Sequence, residues 1–343
     1  MSTSYQVINP YTNELLDEYA FDTWEIIAAK IAHLKSGRKT LEAIPAYARA
    51  NILRRLSELL IEHSERFAEL ITRETGKTFS DSRVEMTRAV NATIASAEES
   101  RQIAGEALDS DAYAPSRGKT GIVNWKPLGT VLCITPFNFP INIALHKIGP
   151  AFAAGNTVMF KPGPQNTASA SLLTQLCYEA GFPENTIQMC VPDIPDMAQL
   201  IAHKDISCIN FTGGTAAAHA IAKSAGYKKL LLELGGNDPL IVMNDADIDS
   251  AVNAAINQRF ATAGQRCTAV KRVFIQRKSY AQFRDLLVEK TNQLIIGDPL
   301  QEDTFVGPLI NRKAALEVKA RIEDAVNDGA VVLTGDRIED AIV

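Results

Sequence analysis

Cys267 stands in the stretch AGQRCTAVKRV, between a glycine-containing loop and three cations, Arg266, Lys271 and Arg272. Positive charge near a cysteine favours the thiolate, its nucleophilic form, which makes the residue a candidate for covalent catalysis. The alternative is a small packing residue with charged neighbours. Glu233, in LLLELGG, follows an apolar run and precedes two glycines. A partly buried carboxylate there, with a raised pKa, suits a general base; a surface turn would ask no chemistry of it. Asn138, in TPFNFP, is either a turn residue bonded to its own backbone or a fixed N–H donor aimed at a developing oxyanion.

Two further stretches suit a nucleotide. Lys161, in FKPG, directly follows an apolar run and is either solvated or a cationic donor to a ribose or phosphate. Gly213 and Gly214 follow Phe211 and Thr212 at a strand-to-helix turn, where backbone N–H groups can approach a pyrophosphate. The spacing is not G-x-G-x-x-G, and alone it is a weak signal.

The elements that must position these residues follow from periodicity. From Tyr47 to about Ala104 apolar residues recur at helical spacing, as in ILRRLSELLIEHSERFAELI. A polar stretch with Pro and Gly, SDAYAPSRGKTGIVNWKPLG, reads as short strands or an arm. Then GTVLCITPF, NTVMFKPG, NTIQMCVP, CINFTGG and KLLLELGG alternate with helical text. Such alternation predicts a parallel sheet covered on both faces, with ligands gathered at the carboxyl ends of its strands. A second alternating block starts at Asp238: PLIVMN, a long helix, AVKRVFIQ, the helix YAQFRDLLVEKTNQLIIG and a helix from Lys313 to about Asp328, before GAVVLTGDRIEDAIV, where a strand or turn is expected.

Composition narrows the partners. The 343 residues carry a formal charge of -5, which gives no footprint for nucleic acid. The N-terminus lacks the pattern of a secretory leader, and no segment reaches the apolar length of a membrane span; a cytoplasmic protein acting on small molecules is expected. Five cysteines, none in a C-x-x-C pair, suggest neither a disulfide framework nor a zinc site. Cys133, Cys177, Cys190 and Cys208 lie in apolar text and read as buried packing residues.

In this order, TPFNFP, FKP, NFTGG, LELGG and GQRC resemble the aldehyde dehydrogenase superfamily, from about Tyr5 to the last residue. The resemblance implies an α/β fold with a Rossmann-type parallel-sheet cofactor domain at 1–232, an oligomerisation arm at 108–127, and a second α/β catalytic domain at 233–343. It implies that Cys267 attacks the aldehyde carbonyl, that Asn138 and the Cys267 N–H hold the oxyanion, and that Glu233 activates the water that hydrolyses a thioester. Lys161 would bind the adenosine ribose and Gly213 and Gly214 would face the pyrophosphate. Thr135, Pro136, Phe137, Gly163, Pro164, Phe211, Thr212 and Leu234 complete the expected cofactor cleft. Relatives preferring NAD usually carry a glutamate three residues after the lysine; Pro164 stands there, so NADP is expected, with NAD as the alternative.

The text INFTGG, LLLELGG and GQRCTAVKRV is similar to the subgroup containing non-phosphorylating glyceraldehyde-3-phosphate dehydrogenase and lactaldehyde dehydrogenase. Arg88 and Arg266 fall where phosphate-using members hold the substrate anion, and two guanidinium forks suit such a group; Asn138 and Thr268 complete the expected substrate contacts. Glyceraldehyde 3-phosphate is the expected substrate, with lactaldehyde, succinate semialdehyde and phosphonoacetaldehyde as alternatives. A homo-oligomer, dimer or tetramer, is expected, and no metal. An E-x-F-G-P segment and a final strand are not found before Val343, so the catalytic domain is expected to lack its C-terminal part. Two competing readings follow: a silent chain that only binds cofactor or assembles, and a coenzyme A-acylating dehydrogenase, which the presence of Glu233 disfavours.

Overall fold

The computed structural model describes residues 4–109, 114–335 and 341–342. An antiparallel hairpin of β1 (Ser4–Ile8) and β2 (Leu15–Ala20) leads into four helices: α1 (Trp24–Ala43), α2 (Ala46–Glu62), α3 (Ser64–Thr75) and α4 (Phe79–Ser100). Each buries one stripe, such as Leu53, Leu56, Leu59 and Leu60 of α2, because residues three and four apart share a helix face. The periodicity from Tyr47 onward accounts for α2 to α4. Helix α1 precedes that stretch: its stripe of Ile27, Ile31, Leu34 and Leu41 is diluted in the text by lysines and by Gly37. That glycine is a packing requirement, since a Cβ there would lie 1.7 Å from the carbonyl oxygen of Asn185.

A short antiparallel pair, β3 (Glu106–Leu108) with β4 (Gly121–Val123), occupies the expected arm; Ser110 to Tyr113, within it, lie outside the described residues. Next come β5 (Thr130–Ile134), α5 (Asn142–Ala153), β6 (Thr157–Lys161), α6 (Thr167–Ala180), β7 (Ile187–Met189), α7 (Ile194–Ala202), β8 (Ile206–Thr212), α8 (Thr215–Ala225) and β9 (Lys229–Glu233). The five strands form one parallel sheet in the order β7-β6-β5-β8-β9. Period-two alternation assigns their side chains to two cores. Val131, Cys133, Val158, Phe160 and Cys208 pack against α2, α4, α5 and α6, while Leu132, Ile134, Met159, Ile209 and Phe211 pack against α1, α7 and α8. The strand order reverses at β5, so the carboxyl ends of β5 and β8 flank the switch point where such sheets bind ligands.

The second block forms a smaller unit: β10 (Asp238–Val242) pairs parallel with β11 (Val270–Ile275), and α9 (Ile248–Phe260), α10 (Tyr280–Asn292) and α11 (Arg312–Asn327) accompany them. Val242, Val252, Ala255, Ile256 and Phe283 are its core. After α11 the chain turns at 328–329 and residues 330–335 form no strand, Val331 and Leu333 being exposed; 336–340 and 343, within the stretch where a strand or turn is expected, lie outside the described residues. No helix among the described residues is long and apolar enough to cross a membrane.

Two buried carboxylates join the helical region to the sheet. Glu85 of α4 pairs with Lys77, neither side chain being exposed, and its other oxygen accepts the N–H groups of Ile141 (2.9 Å) and Asn142 (3.0 Å) at the start of α5. Glu74, at the end of α3, accepts from the N–H groups of Ala168 (2.8 Å) and Ser169 (3.2 Å) at the start of α6 and from Ser169 Oγ (2.5 Å). Carboxylates placed there satisfy otherwise orphaned donors and oppose the positive ends of both helices.

Lys77→Met strands the Glu85 carboxylate in the interior and is expected to cost about 3–5 kcal/mol, read as a lower urea midpoint at unchanged slope. Lys77→Met/Glu85→Gln, which keeps an acceptor for α5 without a charge, should recover part of the loss; equal midpoints for the parent and Lys77→Met would show the pair to be idle. Burial raises the Glu74 carboxyl from 4.5 to about 7 against its hydrogen-bond donors. Its contribution is therefore present in full below the unfolded value and is lost as pH rises through the folded one. Glu74→Gln should flatten the fall in stability between about pH 4.5 and 7, measured by urea unfolding across that range.

Candidate active site

Four loops at the carboxyl edge of the sheet and one from the smaller unit bring the candidate residues together. Asn138 sits in the turn from β5 to α5 and donates from Nδ2 to the carbonyl oxygen of Gln265 at 2.5 Å, across 127 residues of chain. A primary amide has two N–H donors, so one remains for another acceptor. Gln265 lies two residues before Cys267 and is held on both sides. Its N–H donates to the Thr262 carbonyl (3.0 Å), its Nε2 reaches the same oxygen (3.3 Å), and its Oε1 accepts from Ile310 N–H (2.9 Å). The loop of Glu233 closes from the other direction: a Cβ on Gly236 would stand 3.2 Å from the Cys267 carbonyl oxygen. The oxyanion candidate, the thiol and the glycine pair after the carboxylate thus converge on one loop.

Cys267 is exposed, while Cys133, Cys177, Cys190 and Cys208 are buried. Burial raises all four thiols, those of Cys133 and Cys190 to about 12, which makes them inert as nucleophiles. The cations expected to favour a Cys267 thiolate are directed elsewhere. Lys271 Nζ donates to the carbonyls of Cys267 (2.6 Å) and Ala269 (3.1 Å) and to Asp238 (3.1 Å), and Arg272 Nε donates to the Asn237 carbonyl (2.8 Å). These bonds hold backbone carbonyls of the Cys267 loop and of the neighbouring Asn237. Glu233 is likewise exposed rather than partly buried, because β9 is the edge strand of the sheet.

The residues expected around a nucleotide line the switch point. Thr135 and Pro136 follow β5 with Phe137; Gly163 and Pro164 follow Lys161; Gly213 and Gly214 lie between β8 and α8; Leu234 packs beside the core under β9. Lys161 is half-buried, its ammonium lowered by burial, and that ammonium has no hydrogen-bond or ion-pair partner among the described residues. The hydroxyls of Thr135 and Thr212 and the amide of Asn166 are also buried and unpartnered. Gly214 has a negative φ at the start of α8, and a Cβ there would meet nothing within 4 Å, so neither strain nor crowding within the chain calls for glycine. A free cation, orphaned polar atoms and an open helix N-terminus fit a nicotinamide dinucleotide.

Arg266 is half-buried, its Nε enclosed without a partner and its guanidinium 5.8 Å from the centroid of Phe139. The same ring contacts Lys77 Nζ at 3.8 Å from its centroid. Arg88 is exposed on α4, one turn beyond Glu85, and Thr268 is exposed next to the thiol. Two residues escaped the sequence reading. Lys147 of α5 is 3% exposed, donates to Asn210 Oδ1 at 2.7 Å, and is pushed down to about 8 by burial, an effect that the charges of Cys133 and Glu233 oppose. A lysine inside the apolar run INIALHKIGPAFA was the available signal. Asp81 of α4 accepts the Thr262 N–H at 2.8 Å, and nothing in its sequence neighbourhood distinguishes it from a solvated helix charge.

A family model described as the aldehyde dehydrogenase family matches residues 1–342. The chain belongs to the aldehyde dehydrogenase family. It is 63% identical to a sulfoacetaldehyde dehydrogenase of Neptuniibacter caesariensis, over 100% of this chain and 75% of that protein. It is 34% identical to a 3-sulfolactaldehyde dehydrogenase of Priestia megaterium, over 98% and 70%. A crystal structure of NADP-dependent glyceraldehyde-3-phosphate dehydrogenase from Bacillus halodurans C-125 complexed with NADP superposes with a TM-score of 0.94 at 32% identity, over 99% of this chain and 72% of that one. The fold of this aldehyde dehydrogenase, with a parallel sheet at its centre, is that of its solved relatives.

Reagent titration checks the burial pattern. With a chromogenic disulfide, one of the five thiols should react in the native aldehyde dehydrogenase and all five after unfolding. Cys267→Ala should remove the native one; a second fast thiol in that variant would contradict the burial of the other four.

Proposed function

We propose that this aldehyde dehydrogenase oxidises a short aldehyde bearing a sulfonate, sulfoacetaldehyde first, to the carboxylic acid, with NADP as cofactor. The 63% identity to a sulfoacetaldehyde dehydrogenase over the whole chain carries the substrate reading and moves it from the phosphate of glyceraldehyde 3-phosphate to a sulfonate. Both are tetrahedral oxyanions, and the enclosed, unpartnered Nε of Arg266 suits either; Arg88 and Thr268 are the further substrate contacts in this reading. Lys161, Gly213 and Gly214 hold the cofactor with Thr135, Pro136, Phe137, Gly163, Phe211, Thr212 and Leu234. Pro164 offers no carboxylate to repel a 2′-phosphate.

The Cys267 thiolate adds to the aldehyde carbon, and the carbonyl oxygen becomes an oxyanion. The free N–H of Asn138 and the Cys267 N–H stabilise it; one such donor is worth about 10²–10³ in kcat. NADP held by Lys161, Gly213 and Gly214 would supply the hydride acceptor. The acyl group is then left on sulfur as a thioester, and Glu233 takes a proton from the water that attacks it, releasing acid and thiol. Glu233 takes this role from its place in LELGG within the family resemblance; its exposure leaves it open to solvent water but does not by itself favour a base. We also place the domain boundary expected at 232/233 one residue later, at the end of β9, and assign homo-oligomer formation to the arm, where Ile122 is 72% and Trp125 70% exposed.

The test is reduction of NADP and NAD by the purified chain with sulfoacetaldehyde, glyceraldehyde 3-phosphate and an uncharged aldehyde of the same length. Highest kcat/KM for sulfoacetaldehyde with NADP is expected, with no turnover in Cys267→Ala. Asn138→Ala should lower kcat by about 10²–10³, and Glu233→Gln should release one equivalent of reduced cofactor and then stall. Equal kcat/KM for the uncharged aldehyde would refute the anionic substrate, and consumption of added coenzyme A would replace hydrolysis by acyl transfer.

A further inference from the structure

The turn that delivers Cys267 is strained. Thr262 has φ +55 and ψ +36 and Ala263 φ +52 and ψ +33, followed by Gly264 at φ +71. Only the third is a residue that adopts this region freely. Two successive non-glycine residues there are unfavourable by sterics, and a β-branched threonine is the less tolerant of the two. Such a conformation persists only where the surroundings over-determine it. Here the surroundings are few. On one side Gln265 donates from its backbone and side chain to the Thr262 carbonyl. On the other, Asp81 Oδ2 accepts the Thr262 N–H at 2.8 Å, with the Thr262 hydroxyl at 3.4 Å. Thr262 itself is 5% exposed, so its N–H has little access to water in place of the carboxylate.

Asp81 is in turn anchored. It lies in the first turn of α4, where its own N–H is received by Thr78 Oγ1 at 3.3 Å and where a carboxylate is favoured by the helix dipole. The next turn of α4 carries Glu85, which is locked to Lys77 and to the start of α5. The carboxylate thus reaches the turn from a helix that also fixes the Asn138 loop.

We propose that Asp81 is a positioning residue for the reaction: by accepting the Thr262 N–H it holds the left-handed turn at 262–264, and so sets the Gln265 carbonyl against Asn138 and presents Cys267. This rests on the reading of Cys267 as nucleophile, so the test carries a readout independent of turnover.

The rate of Cys267 alkylation by iodoacetamide is measured beside kcat and KM for sulfoacetaldehyde with NADP, on the full chain, in Asp81→Ala, Asp81→Asn, Thr262→Gly and Asp81→Ala/Thr262→Gly. Asp81→Ala should lower the alkylation rate and kcat by about tenfold, with KM within about twofold. Asp81→Asn, whose amide oxygen accepts the same N–H, should restore most of both. Glycine at 262 adopts the turn without an external hold, so in that background removing Asp81 should change alkylation by less than about twofold. The glycine pair also decides the matter if Asp81→Ala alone does not fold. Parental alkylation in Asp81→Ala, or an equal loss in the glycine background, overturns the proposal. Turnover that survives Cys267→Ala overturns the nucleophile reading instead, while the alkylation series still decides the role of Asp81.

Discussion

Lys77 and Glu85 face each other with no exposure to solvent, and the placement of the site depends on how that pair is resolved. Burial lowers the Lys77 ammonium while Glu85 and Asp81 act to raise it. Desolvating two ions is unfavourable, and a pair alone seldom recovers the loss. Here the carboxylate also satisfies two N–H groups of α5 and the ammonium lies against the ring of Phe139. A buried charge with several partners is geometrically demanding, because each partner is satisfied in only one arrangement. That arrangement seats Phe139 within reach of both Lys77 and Arg266, and Phe139 is the neighbour of Asn138.

The same short connection reaches further than the oxyanion loop. Glu74 seats the start of α6 and hence the loop after Lys161; Gln165 of that loop donates to the Glu74 carbonyl (2.8 Å) and to that of Ile8 (2.6 Å). Gly76, at φ +73, passes so close to Pro308 that a Cβ would lie 2.7 Å from its ring, and Phe79 N–H donates to the Pro299 carbonyl at 2.8 Å. Asp81 holds the turn before Cys267. Within twelve residues, 74–85, the chain touches the cofactor loop, the oxyanion loop, the nucleophile loop and the smaller unit.

How much of this the sequence disclosed follows from what each feature leaves in the text. The sheet was legible because strands buried on both faces leave short apolar runs ended by Gly or Pro, as in TVLCITP and TVMFKPG. The loops bearing Asn138, Lys161, Gly213 and Cys267 were legible because chemistry-bearing residues stand beside those endings. Helix α1 was not, since its burial stripe is broken by charges that reach solvent around it. Lys77, Glu85 and Asp81 were not, because on a helix a buried and a solvated charge look alike until the partner is known. For Glu233 the text leaves a partly buried base and a surface turn both open; β9 is an edge strand, which leaves it exposed together with Leu231 and Leu232.

Because one connection restrains several loops, changes within it should not act as independent local defects. Residues that share a hydrogen-bonded network couple, and their effects depart from additivity. A shift of Glu85 moves the start of α5 and, through α4, the carboxylate of Asp81, so the donor and the thiol would drift together rather than apart. The sheet supplies rigid strand ends, but those ends leave the turn directions open. In this chain the directions are chosen by three carboxylates on the helical side, at 74, 81 and 85, each spent on backbone N–H groups that secondary structure leaves unpaired. The interior charge that is unfavourable for stability taken alone is therefore the means by which distant loops acquire a common geometry.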